Sequence, residues 1–147
     1  LFDARRRLLE TLSSAAPFLR TVMHQTQNDN ERVQRINDAL VEKIMGWRPS
    51  GTRYYISSRK YVTKRSFDPM RDWCSTLSLI QHARVLNPGL TGELLFQVDA
   101  TGAMTFSAYV RIWPGQTGRA SRHPWASLAL AEALAKAYGI DVYGGAQ

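Results

Sequence analysis

Cysteine is nearly absent: Cys74 is the only one in 147 residues. No disulfide can form within the chain, and a reducing compartment is expected. Long apolar runs are missing too. Leu128 to Ala131 is cut off by Glu132, far short of the roughly 20 residues a membrane span needs, so no membrane association is expected. Arg5, Arg6 and Arg7 are not followed by a continuous apolar region with a cleavage signal, which argues against a secretory peptide and for the cytoplasm. Repeats and low-complexity tracts are lacking. His24, His82 and His123 stand far apart without ligand spacing, so neither a metal nor another cofactor is expected.

The most telling absence is of negative charge. Between Lys43 and Arg65 there are seven basic residues and no acid, whereas the other 12 basic residues are matched by 12 acidic ones. The whole formal charge of +7 therefore belongs to one segment.

What is present reads as an α+β domain. Hydrophobic residues make up 44% and charged residues 21%, an ordinary globular mixture. Leu8, Leu12, Leu19 and Val22 recur at helical spacing in an amphipathic N-terminal helix that Pro17 should kink or divide. A polar link from Gln25 to Asn30 follows, with Asn28 or Asn30 as the cap of a second helix. Residues 1–30 thus read as a helical extension and residues 31–147 as one domain. In the second helix Val33, Ile36, Leu40, Ile44 and Trp47 mark one face, and Gly46 is the stop. Arg48 to Phe67 shows no sustained period and reads as a loop with one short strand. Asp68-Pro69 reads as the start of a core helix to Leu86, with Met70, Trp73, Cys74, Leu77, Ile80 and Ala83 as its buried stripe.

Two alternating runs define an antiparallel hairpin over about residues 93–113. If residues directly opposite share a face, Val98 opposes Met104, Phe96 opposes Phe106 and Leu94 opposes Ala108. Ala100-Thr101-Gly102 is then a three-residue loop, with Gly102 supplying the left-handed position. Pro114 to His123 reads as a Gly-rich connection. Pro124 opens a final helix and Gly139 closes it. Only Ser127, Glu132 and Lys136 are clearly polar in this helix, so it should be buried on most sides against the sheet.

Ile44-Met45-Gly46-Trp47, Phe67-Asp68-Pro69 with Asp72-Trp73, the hairpin and the Ala-rich last helix together resemble the phage ABA sandwich domain family, over about Ile36 to Ile140. The resemblance implies an α-β-α layered fold with the hairpin between helices, and a bacteriophage or prophage origin. It brings no catalytic residue and no activity.

The sharpest chemical signal is the mixture of Tyr54, Tyr55 and Tyr61 with Arg48, Arg53, Arg59, Lys60, Lys64 and Arg65. Cations follow phosphates and aromatic faces stack bases, the two needs of a single-stranded nucleic acid or nucleotide. The competing reading has the tyrosines packed on the core and the cations merely solvated. Arg119 and Arg122, near the start of the last helix, are expected to add to the same surface. The intervening Gly115 to Ser121 lacks the Gly-Lys-Ser/Thr ending of a phosphate loop. Asp68 and Asp72 lie four apart, but no nucleophile with a matching base can be nominated, and no enzyme is expected. The alternative function is a protein-interaction module, an inhibitor of a host or defence protein or a virion or assembly component, whose N-terminal helix engages a host or phage protein or a second copy of the chain.

Overall fold

The computed structural model describes residues 27–143. The chain divides into two compact units, Leu1–Val33 and Gln34–Gln147. The N-terminal interaction helix of Leu8, Leu12, Leu19 and Val22 lies outside the described residues. Residues 27–40 are helical, α1, and run on into a π-helical turn, Val41–Met45. Asn28 and Asn30 sit inside this helix and do not cap it. Ile36, Leu40, Val41 and Ile44 are fully buried or nearly so, and Gly46 ends the helix at φ +69°, the left-handed position glycine occupies without Cβ strain.

The stretch expected to be a loop with one short strand forms a small three-stranded antiparallel sheet, β1 Arg48–Ser50, β2 Arg53–Tyr55 and β3 Tyr61–Thr63, in the order β1-β2-β3. Gly51 at φ +58° and Thr52 join β1 to β2, with glycine at the first central position of a two-residue hairpin turn. These strands are too short for a period of two to show in the sequence.

Helix α2 spans Trp73–Leu86 and is capped by Asp72, not by Asp68. The Asp72 carboxylate accepts from the Ser75 backbone N–H at 3.0 Å and from its hydroxyl at 2.6 Å. Asp68 is used differently. Its Oδ1 accepts from Asn37 Nδ2 at 2.6 Å and its Oδ2 from Arg71 at 3.1 Å, while Asn37 Oδ1 accepts from the Met70 N–H at 3.0 Å. Asp68 therefore fastens the turn before α2 to α1. Because Met70 belongs to that turn, it does not share the helical phase of the residues after it. The buried face of α2 is Ser75, Thr76, Leu79 and Ala83, while Trp73, Cys74 and Leu77 are exposed. Of the expected stripe Met70 and Ala83 are buried and Ile80 is half-buried, but Trp73 and Leu77 are not, and Cys74 is not a buried thiol. The Ser75 hydroxyl and N–H hold the Asp72 carboxyl below its ordinary range. The cap is thus strong above the unfolded value near pH 4 and is lost as pH falls through the lower folded value. Asp72→Ala should cost about 1 kcal/mol, read as a lower urea midpoint at pH 7 and a smaller difference at pH 3.

The second sheet has the order β4-β5-β6, with β4 Thr91–Val98, β5 Met104–Ile112 and β6 Gln116–His123. The hairpin register is as expected: Leu94 opposes Ala108, Phe96 opposes Phe106 and Val98 opposes Met104. Gly102 lies at φ +86°, and its N–H donates to the Asp99 carbonyl at 3.0 Å. The Thr101 hydroxyl leads in holding the Asp99 carboxyl below its ordinary range.

The supposed Gly-rich connection is strand β6. Gly118 and Ala120 point to the same face as Val110 and Ala108 and are buried there, so small residues alternate where larger apolar ones would have revealed a strand. Helix α3, Ala126–Ala137, packs over β5 and β6 and also touches α2. Eight of its residues are buried, Ser127, Glu132 and six that are Ala or Leu, as the narrow polar stripe predicts. It ends in a glycine cap: the Gly139 N–H donates to Lys136 O at 3.0 Å and the Ile140 N–H to Ala135 O at 2.9 Å. The class is α+β, with α3 covering the β5–β6 half of one sheet face. Leu94, Phe96, Val98 and Met104, which a hairpin between helices would cover, are exposed instead; the last three lie toward the hairpin tip, away from Ala108 and Val110.

Candidate nucleic-acid interface

Side chains alternate across a strand, so the register of β1–β3 sorts the basic aromatic segment into two sets. Arg48 pairs with Tyr55 and Tyr55 with Tyr61; Ser50 pairs with Arg53 and Arg53 with Thr63. Arg48, Arg53, Tyr55 and Tyr61 therefore share one face. Pro49, Tyr54 and Val62 occupy the other.

The second face turns inward. Tyr54 is fully buried, edge-on to Phe67 at 6.5 Å, and Phe67 in turn lies edge-on to Trp47 at 5.1 Å. Its hydroxyl donates to Asp38 Oδ1 at 2.8 Å and accepts from Gln34 Nε2 at 3.0 Å. Lys64 completes the cluster, with Nζ 3.0 Å from Asp38 Oδ2. Burial, then the Asp38 carboxylate, push the Tyr54 hydroxyl far above its ordinary value. Tyr54 and Lys64 were expected to bind nucleic acid. The structure withdraws both, because the alternation that turns half-buried Tyr55 to the outward face turns its neighbour inward, and Asp38 neutralises the lysine.

The outward face is a stacked array. The Arg53 guanidinium lies 4.1 Å from the Tyr61 ring centroid and that of Arg48 lies 5.2 Å from the Tyr55 centroid. The two rings are 5.9 Å apart and tilted by 51°. Hydrogen bonding by Tyr55 and the nearby Tyr61 hydroxyl raise the Arg53 pKa further. Arg59 and Lys60 sit exposed in the turn between β2 and β3, where both backbone N–H groups donate to the Ser57 hydroxyl at 3.4 and 3.2 Å. Arg65 is exposed in the turn after β3. Six cationic or aromatic side chains, Arg48, Arg53, Tyr55, Arg59, Lys60 and Tyr61, thus belong to one short hairpin unit with no acidic residue in it.

Arg119 and Arg122 belong to the other sheet, on β6. Arg119 lies over Tyr109 at 5.1 Å. Arg122 takes a left-handed φ of 59° next to the register shift between Phe106 and Ala108. They are not part of the β1–β3 face. His123 is 2.8 Å from the buried Glu132 carboxylate, which also lies 3.4 Å from Lys136. Among the described residues no group of His, Cys, Asp and Glu is placed to hold a metal ion, and no helix is long and apolar enough to cross a membrane. No family model, curated protein or solved structure matches the chain.

Proposed function

We propose that this chain is a non-enzymatic binding protein for single-stranded nucleic acid, with the outward face of β1–β3 as its platform. The observation that carries the reading is the co-facial placement of Arg48, Arg53, Tyr55 and Tyr61, with each guanidinium already seated over a ring. A guanidinium lying on an aromatic face offers its far side to a base or its edge N–H groups to a phosphate. Arg59, Lys60 and Arg65 extend the positive field past the platform, along the path a backbone would take. The resemblance at Ile44 to Trp47 would make it an accessory protein of a bacteriophage. The two carboxylates four residues apart are engaged structurally, Asp68 with Asn37 and Arg71 and Asp72 with Ser75.

The test is retardation of labelled oligonucleotides. Single-stranded DNA or RNA should bind, and Tyr61→Ala or Tyr55→Ala should each weaken binding by about 1–3 kcal/mol, roughly 5- to 150-fold. Tyr109→Ala, on the other sheet, should leave affinity unchanged. Equal affinity of parent and both platform variants would refute the assignment.

A further inference from the structure

Among the described residues strand β4 is an edge strand, and all eight of its residues are exposed. Its free backbone can be assigned. The Asp99 N–H donates to Ala103 O at 3.0 Å, so positions 99 and 103 form a hydrogen-bonded pair. The register is regular from there to Thr91, and in an antiparallel ladder bonded and non-bonded pairs alternate. Gln97, Leu95 and Glu93 therefore bond to β5, while the N–H and C=O groups of Val98, Phe96, Leu94 and Gly92 point to the open edge. The same residues carry the exposed apolar row: Phe96 is 67% exposed, Val98 56% and Leu94 37%, with Met104 beside them at 48%.

Edge strands in monomers are ordinarily protected by lysine, proline, a bulge or brevity. Here residues 85–110 contain no lysine or arginine, β4 contains no proline and is eight residues long, and its pairing shows no bulge. Its only charge is Glu93.

We infer that β4 pairs antiparallel with β4 of a second copy of this chain, joining two three-stranded sheets into one of six across a two-fold axis at Leu95. The strand is complementary to itself in this register. Leu94 opposes Phe96 of the other copy twice, Gly92 opposes Val98, and Glu93 faces Gln97. Moving the axis to Phe96 would set Glu93 against Asp99, two like charges. Moving it to Leu94 would set Glu93 against Leu95 and leave Val98 outside the pairing. An isologous contact of this kind closes at two copies and hides both β4 edges, leaving a β6 strand at each end of the joined sheet. The inference is independent of nucleic-acid binding, although a dimer would place two β1–β3 platforms in one particle.

Sedimentation velocity on the full chain through the micromolar range should give twice the chain mass, and Phe96→Lys should halve it with an unchanged far-UV circular dichroism spectrum. Leu95 faces itself across the axis as a non-bonded pair, with Cα atoms about 4.5 Å apart, within disulfide reach. Leu95→Cys in a Cys74→Ser background should therefore oxidise to a reductant-sensitive covalent dimer. If Phe96→Lys loses the parent spectrum, the cross-link alone decides. A monomeric parent, a dimer left intact by a folded Phe96→Lys, or failure of Leu95→Cys to cross-link would each overturn the inference.

Discussion

Gly118→Ala is expected to be among the most damaging small substitutions in the molecule. A Cβ built at Gly118 would lie 1.9 Å from the Ala133 carbonyl oxygen, 2.6 Å from the Ala137 nitrogen and 2.9 Å from Lys136 Cβ. The first two are backbone atoms of α3, so no rotamer change can make room. Relief requires moving the helix off the sheet, which opens the layer formed by Val110, Ala120, Ala129 and Ala133, all buried. Forced overpacking ordinarily costs about 1–3 kcal/mol and occasionally more. A rigid clash with backbone belongs at or above the top of that range, a fall in Tm of roughly 6–12 °C for a domain of this size. Gly102→Ala provides the contrast. Its φ is +86° but nothing lies within 4 Å, so only the left-handed strain of about 1–2 kcal/mol should appear. Thermal unfolding of the two variants should separate them clearly; equal losses would mean that β6 and α3 are not in close contact.

Tyr54→Ala is the second large effect. The ring is fully buried, and removal of a buried aromatic side chain typically costs about 3–5 kcal/mol, a large share of a stability of roughly 5–15 kcal/mol. Tyr54→Phe isolates the hydroxyl. A hydrogen bond to a charged group contributes about 1.5–3 kcal/mol. Asp38 keeps Gln34 and Lys64 as donors, which puts the loss at the lower end. The pH dependence has a definite sign. Because burial raises the folded-state value above the unfolded one, the tyrosine contribution is complete below about pH 10 and declines as pH rises beyond it. Urea midpoints measured between pH 8 and pH 11 should fall for the parent chain and fall less for Tyr54→Phe. Parallel curves would show that the hydroxyl is not buried beside Asp38.

These two residues also show what could be read from the sequence and what could not. Alternation of large apolar side chains was enough to place β4 and β5 and to derive their register to the residue, and Gly46 and Gly139 marked helix ends because a left-handed residue is needed there. β6 escaped because its inward residues are Gly118 and Ala120, whose small size is the requirement of close approach to an Ala-rich helix. Small residues at alternate positions opposite such a helix were the available signal. β1–β3 escaped because three residues do not establish a period, although Ser50-Gly51-Thr52-Arg53 is compatible with a two-residue hairpin turn. In the core helix Ala83 is buried as its place in the stripe predicts, whereas hydrophobicity alone favours Trp73 and Leu77 over Ser75 and Thr76. The latter two are buried because Asp72 and the Pro69 carbonyl take up their hydroxyls.

The candidate site was legible as a composition and not as a surface. Its cations and tyrosines were evident together, but which tyrosine faces outward depends on pairing partners that lie outside any local pattern. Register divides the segment into a structural half, with Tyr54 and Lys64 around Asp38, and a presented half, with Arg48, Arg53, Tyr55 and Tyr61. The reading in which tyrosines pack on the core describes the inward face at Tyr54, and the outward face is the one proposed as the platform.

Whether the presented half holds phosphates and bases, as proposed, is read from the salt dependence of binding to a single-stranded oligonucleotide. Each phosphate neutralised contributes about −0.7 to the slope of log K against log salt. A steep negative slope is expected for the parent chain and a slope shallower by about 1.4 for Arg48→Ala/Arg53→Ala, with both proteins folded. Absence of binding at low salt, or a slope that the double substitution leaves unchanged, would contradict it.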